Sequence, residues 1–104
     1  RRAAVSKPVF IVTGADLAPQ ALALLNDFDV VYAGKAPTED DIVALCRLHN
    51  PQAIIVRYGK VGAAAMDAAP ALRVISKHGS GTDTIDKVAA QARHIEVRAA
   101  VGAN

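Results

Sequence analysis

The chain has 104 residues, of which 52% are hydrophobic and 21% charged, with seven glycines and five prolines. That gives room for one domain and excludes a disordered or collagen-like chain. Twelve Lys and Arg against ten acids leave a net charge of +2, and the longest basic run is Arg1-Arg2. So small a surplus gives no argument for nucleic acid as a partner. Aromatic residues make up only 4%, with no Trp, so the core has to be built from Ala, Val, Ile and Leu. The single cysteine, Cys46, rules out an internal disulfide framework and fits a reducing cytoplasm. No stretch approaches the ~20 apolar residues that span a bilayer, and Val9-Phe10-Ile11-Val12 is too short for a signal-peptide core.

In chain order, the first predicted strand is Val9 to Val12. A helix follows, with Leu17, Ala21, Leu24, Leu25 and Phe28 on one apolar stripe. Val30 to Tyr32 is the second strand. Thr38-Glu39-Asp40-Asp41 then reads as a helix start: a threonine cap, a carboxylate three residues on, and acids in the first turn. Ile42, Leu45 and Cys46 form the inner stripe of that helix, and Asn50-Pro51 stops it, because proline disfavours helix in the residue before it. Cys46 lies on the apolar face with no matching histidine, as a core residue does. Ala53 to Val56 is the third strand, about Gly62 to Ala69 an Ala-rich helix ended by Pro70, and Leu72 to Ile75 the fourth strand. A last helix is expected over about Ile85 to Arg93, capped by Asp83 or Thr84, with a weak fifth strand at Ile95 to Val97.

The first four strands are continuous apolar runs, the pattern of strands buried on both faces of a parallel sheet. Strands alternating with helices at this spacing make right-handed βαβ units. The expected architecture is a flavodoxin-like α/β layer, strand order 2-1-3-4-5, with helices on both faces.

Ligands of such sheets bind beyond the carboxyl ends of the strands. Thr13-Gly14-Ala15-Asp16 follows the first strand, Arg57-Tyr58-Gly59-Lys60 the third, and Lys77-His78-Gly79-Ser80-Gly81-Thr82-Asp83 the fourth. The third and fourth strand ends together carry Arg57, Lys60, Lys77 and His78, with no acid until Asp83; such a lining suits a small anion, and the glycine pair lets backbone N–H groups face it. A turn merely shaped by Gly79 and Gly81, flanked by solvated cations, would show the same residues. The pattern alone leaves both readings open. Asp83 reads best as a cap or loop tie, and His49 and His94, near helix ends, as cations placed for the helix dipole.

Other motifs fail. Gly79-Ser80-Gly81 begins a dinucleotide fingerprint, but Thr84 takes the third glycine position, and the first strand-to-helix turn has one glycine only. A phosphoacceptor receiver domain wants aspartate at the end of the third strand, where Arg57 stands. No phosphate-binding G-x-x-x-x-G-K-[ST] run exists, no metal-ligand spacing is present, and no Ser, His and Asp set argues for acyl transfer.

Leu72-Arg73-Val74-Ile75-Ser76-Lys77-His78-Gly79-Ser80-Gly81-Thr82-Asp83-Thr84-Ile85-Asp86 closely resembles a segment of the D-isomer-specific 2-hydroxyacid dehydrogenases, particularly the phosphoglycerate dehydrogenase-like branch. There it reads approximately L-K-V-I-x-R-H-G-x-G-x-D-N-I-D. Val88 to Val97 is similar to the family's A-A-x-x-x-G-I-x-V, and Ile54 to Val61 to its strand-end I-V-R-x-x-x-K-V. The likeness covers most of residues 52 to 104; residues 1 to 51 share only the strand–helix rhythm.

The resemblance implies an oxidoreductase moving hydride between a nicotinamide cofactor, NAD or NADP, and a 2-hydroxy or 2-keto acid. It implies that backbone N–H groups of Gly79, Ser80 and Gly81 hold the substrate carboxylate, that Arg57 lines the same cleft, that Tyr58 closes it, and that Asn104 reaches the site from a hinge. Residues 1–98 are thus expected to form the substrate-binding domain and 99–104 to begin a hinge into a nucleotide-binding domain absent from this chain. That domain carries the family's catalytic Arg, Glu and His and its cofactor fingerprint. The chain alone is therefore expected to be inactive and to bind no cofactor, and the parent to be a cytoplasmic homodimer without nucleic-acid or membrane partners. Two departures stand out: Val101 replaces the family's hinge proline, and His94 its glycine, which implies strain at His94 or a different turn. The alternative is a stand-alone flavodoxin-like module that binds a small acid for regulation.

Overall fold

Ala53-Ile54-Ile55-Val56 has no polar residue and is buried along its whole length, and the fold is arranged around it. The computed structural model describes residues 8–14, 28–34, 37–57, 59–77 and 85–99. In chain order these form β1 (Val9–Thr13), β2 (Asp29–Tyr32), α1 (Glu39–His49), β3 (Ala53–Val56), α2 (Ala63–Ala68), β4 (Val74–Lys77), α3 (Lys87–Ala92) and β5 (Glu96–Ala99). The strands make one parallel sheet in the order β2-β1-β3-β4-β5, as the strand–helix rhythm predicts. The helix expected between β1 and β2 falls on residues outside those described, apart from Phe28, whose ring lies 4.4 Å from that of Phe10.

The register sorts the side chains into two faces. Ile11, Ile54, Ile75 and Val97 stand side by side, with Val31 next to Ile11. This row packs with Ile42 and Cys46 of α1, Ala65 and Met66 of α2, and Ala89 and Ala90 of α3 in one core. The three crossovers β2–α1–β3, β3–α2–β4 and β4–α3–β5 step in the same direction across the sheet, so crossovers of one hand put these helices on one face. On the other face Val12 and Ile55 form a smaller cluster with Phe10 and Val30. Burial on both faces, expected of the first four strands, holds for β3 and the second half of β1. β2 lies at the sheet edge with Asp29 and Tyr32 exposed, and β4 alternates, with Ile75 and Lys77 buried.

The local signals for α1 act as read. Thr38 accepts from the Asp41 N–H at 3.1 Å, and Asp41 returns the bond to the Thr38 N–H at 3.0 Å. Asn50 ends the helix at φ 47°, a left-handed conformation asparagine tolerates, and its side chain accepts from the Ala71 N–H at 2.9 Å.

Several boundaries differ from expectation. β4 starts at Val74 because the Leu72 N–H bonds to the Ala69 carbonyl at 2.9 Å, finishing the turn after α2. It runs on through Ser76 and Lys77 because backbone pairing with Ile55 and Val56 requires no apolar side chain. α3 starts at Lys87, capped by Asp86, which accepts from the Ala89 N–H at 3.0 Å. Ile85 is drawn instead into a parallel bridge with Val61; Asp83 and Thr84, the expected caps, lie outside the described residues. Finally, the Ile95 N–H bonds to the Ala90 carbonyl and the His94 N–H to the Gln91 carbonyl, so β5 begins only at Glu96. This is the glycine-ended helix stop with His94 at φ 59°. Of the two outcomes expected for His94, it is strain in the glycine's own turn.

Candidate functional site

The carboxyl edge of the sheet is built on one rung: Thr13, Val56, Lys77 and Ala99 are paired across β1, β3, β4 and β5. Thr13 is fully buried, and its Oγ1 accepts a 2.9 Å hydrogen bond from the Arg57 N–H, the first residue beyond β3. A Cβ placed on Gly14 would stand 3.3 Å from Arg57 Cδ and 3.6 Å from its Cβ. The stem of the half-buried Arg57 side chain therefore lies against the end of β1. Sequence reading found Arg57 but gave Thr13 no role; a buried hydroxyl at a strand end was the available signal, and only the register shows what it bonds.

The other cations are spread out. Lys77, 7% exposed, belongs to the row that faces the helices, whereas Lys60 is exposed. An acid that sequence distance concealed also borders this edge: the Glu39 carboxylate on the first turn of α1 lies where a Gly62 Cβ would be 2.8 Å away. Of the residues expected to bind substrate, only Arg57 is described; Tyr58, Gly79, Ser80, Gly81 and Asn104 lie outside the described residues, as does His78.

The loop that carries Arg57 is fixed beyond it. Gly59 has φ 81°, and a Cβ there would come 3.0 Å from the Pro37 carbonyl oxygen and 3.1 Å from Ile42 Cδ1. Only glycine combines that backbone with so close an approach to α1. At the far end Val61 bridges Ile85, and the Asp86 N–H donates to the Val61 carbonyl at 3.0 Å. The segments after β3 and β4 thus leave the sheet as neighbours at Val56 and Lys77 and rejoin as neighbours at Val61 and Ile85. Gly79, Ser80 and Gly81 fall between these two pairings in sequence and lie outside the described residues.

Cys46 is a core residue, as expected, with burial pushing its thiol up to about 11. Among the described residues no group of His, Cys, Asp and Glu is arranged to hold a metal ion, and no helix is long and apolar enough to cross a membrane. Where β1 ends there is one glycine, Gly14, with the Arg57 stem against it, so the glycine-rich backbone that a dinucleotide pyrophosphate approaches is not found among the described residues. The described residues therefore do not fit a nicotinamide dinucleotide.

A family model of the D-isomer specific 2-hydroxyacid dehydrogenase catalytic domain matches residues 9–104. Among solved structures, the NAD+-bound 3-phosphoglycerate dehydrogenase of Entamoeba histolytica superposes with a TM-score of 0.70 at 23% identity, over 90% of this chain and 33% of that one. The D-mandelate dehydrogenase of Rhodotorula graminis, without cofactor, gives 0.67 at 20% identity, over 94% and 32%. A 2-hydroxyacid dehydrogenase of Ketogulonicigenium vulgare gives 0.65 at 28% identity, over 89% and 29%. No curated protein matches by sequence. The chain spans about a third of the length of these solved relatives. Family-model match and fold agree: the chain belongs to the D-isomer specific 2-hydroxyacid dehydrogenase family, and its Arg57 edge lies within the matched catalytic domain.

Proposed function

We propose that the chain is the substrate-binding part of an NAD- or NADP-dependent D-2-hydroxyacid dehydrogenase. Its task is to hold the carboxylate of a 2-hydroxy or 2-keto acid. The observation that carries this reading is the fixed start of the Arg57 loop at the carboxyl edge, where Thr13 holds the Arg57 N–H at 2.9 Å. A carboxylate is planar with two acceptor oxygens, and a guanidinium offers it a matching pair of N–H donors. Backbone N–H groups of Gly79, Ser80 and Gly81 would take the remaining lone pairs, Tyr58 would cover the acid, and Asn104 would approach from a hinge over 99–104. Residues 1–98 form the substrate domain in this reading.

Because the described residues do not fit the dinucleotide, no reaction step is assigned to them. A nicotinamide dinucleotide held by a second domain would supply hydride acceptance or donation there, together with the Arg, Glu and His that the family resemblance assigns to that domain. The chain alone binds acids weakly and does not turn them over. The reading extends to a cytoplasmic homodimer with no nucleic-acid or membrane partner.

The test is a titration of the ¹⁵N-labelled chain with glycolate, lactate and 3-phosphoglycerate. The expected result is a set of saturating amide shifts at Arg57 and at Gly79, Ser80 and Gly81. Shifts confined to amides remote from these residues would overturn the assignment.

A further inference from the structure

Arg57 is the guanidinium on which the proposed function depends, and it meets two residues at the end of β1, Thr13, 44 positions earlier in the chain, and the adjacent Gly14. Thr13 is fully buried, and its hydroxyl oxygen accepts from a backbone N–H outside its own strand. Gly14 has none of the positive φ seen at Gly34 and Gly59, so its backbone does not call for glycine. What calls for it is space, since the nearest atoms a side chain would meet are Arg57 Cδ, Cβ and Cγ, at 3.3, 3.6 and 3.8 Å.

We propose that Thr13 and Gly14 act together as a saddle that positions Arg57 for the acid: Thr13 fixes its main chain and Gly14 gives its stem a path across the end of β1. The saddle rests on the reading of Arg57 as a carboxylate ligand. Neither residue touches the acid; both are positioning residues. A serine at 13 keeps the acceptor oxygen. A valine keeps the volume but leaves the Arg57 N–H without this acceptor, so the first loop residue is released. A methyl group at 14 forces the stem aside by a few tenths of an ångström, and larger side chains displace it further. Both changes act on the direction of the guanidinium while leaving the Ile54 and Ile55 pairings in place.

The test compares wild type with Thr13→Val, Thr13→Ser, Gly14→Ala and Gly14→Val by glycolate titration and by hydrogen exchange of the Arg57, Ile54 and Ile55 amides. Thr13→Val is expected to remove protection at Arg57 only and to weaken glycolate binding about five- to tenfold, as expected when a buried donor loses its partner. Thr13→Ser stays within about twofold of wild type, and the two Gly14 variants weaken binding in order of side-chain size. Should Thr13→Val not fold, the serine and Gly14 variants decide by the same readouts. Unchanged affinity in Thr13→Val and both Gly14 variants, with the fold retained, would overturn the saddle. A wild-type chain that ignores glycolate would instead overturn the site reading. The saddle is then judged by the Arg57 amide exchange and Nε–H resonance, and no change there in any variant would overturn it.

Discussion

The carboxyl edge around Arg57 and the α3–β5 corner are both loop-bearing borders of the same sheet, but they are held in opposite ways. At the edge, contacts join residues distant in sequence and buried or half-buried: Thr13 to Arg57, Gly59 to Pro37 and Ile42, Val61 to Ile85. At the corner they are local or exposed. Arg98 pairs with Glu96 two residues away at 2.6 Å, and Arg93 reaches Asp67 at 2.8 Å across the surface between α3 and α2. Buried long-range contacts fix a position within a fraction of an ångström, because releasing them leaves a strained backbone or an unpaired group. Exposed ion pairs are screened and entropically costly, and fix little. Changes at the edge should therefore alter stability or acid binding strongly, and changes at the corner should alter stability slightly and binding not at all.

The largest effect is expected at Gly59. Gly59→Ala places a side chain in a left-handed conformation and presses it on the Pro37 carbonyl, destabilising by about 2–4 kcal/mol in a urea titration. Next comes Asn50→Ala, which loses both the tolerance for φ 47° and the bond to Ala71. A loss of about 1–2 kcal/mol is expected, again from urea unfolding. The corner runs the other way: His94→Gly relieves a histidine at φ 59°. It should stabilise by about 0.5–1 kcal/mol while leaving the glycolate affinity unchanged, which separates stability from binding in one variant.

Smallest is the Arg93–Asp67 pair. The hydrogen bond from Arg93 holds the Asp67 carboxyl below its usual 3.8 in the folded state. A carboxyl depressed on folding contributes stability above its unfolded value and loses it as the pH falls through the folded one. A slight fall in thermal midpoint below pH 4, absent in Asp67→Asn, is the expected signature. An equal fall in both proteins would mean that the pair contributes nothing.

Much of this could be read in the residues. Apolar β-branched runs placed the strands, because a parallel sheet buries them, and strand–helix alternation with right-handed crossovers left few orders to consider. Thr38 and Asp41 announced the start of α1, since the capping box is a local contact. The errors came where local chemistry offered alternatives. Asp83, Thr84 and Asp86 are all able to cap α3, and the choice fell to Asp86 once Ile85 paired with Val61, a contact no local pattern encodes. The end of β4 was misjudged because hydropathy reports side chains, whereas Ser76 and Lys77 stay in the strand through their backbones. At the site, Arg57 was legible as the first residue after an apolar strand. Its partners Thr13 and Gly14 were not, because they meet it only through the β1–β3 register.

The most direct test of the account compares two arginines, one from each region, in the same glycolate titration. Arg57→Met should weaken binding at least about tenfold, as expected for the loss of a charge-assisted pair of hydrogen bonds. Arg98→Met, which removes the same charge from the corner, should bind glycolate as the wild type does. Equal losses in both would mean that only net charge attracts the acid, and an Arg57→Met protein with wild-type affinity would contradict the assignment of Arg57 to the carboxylate.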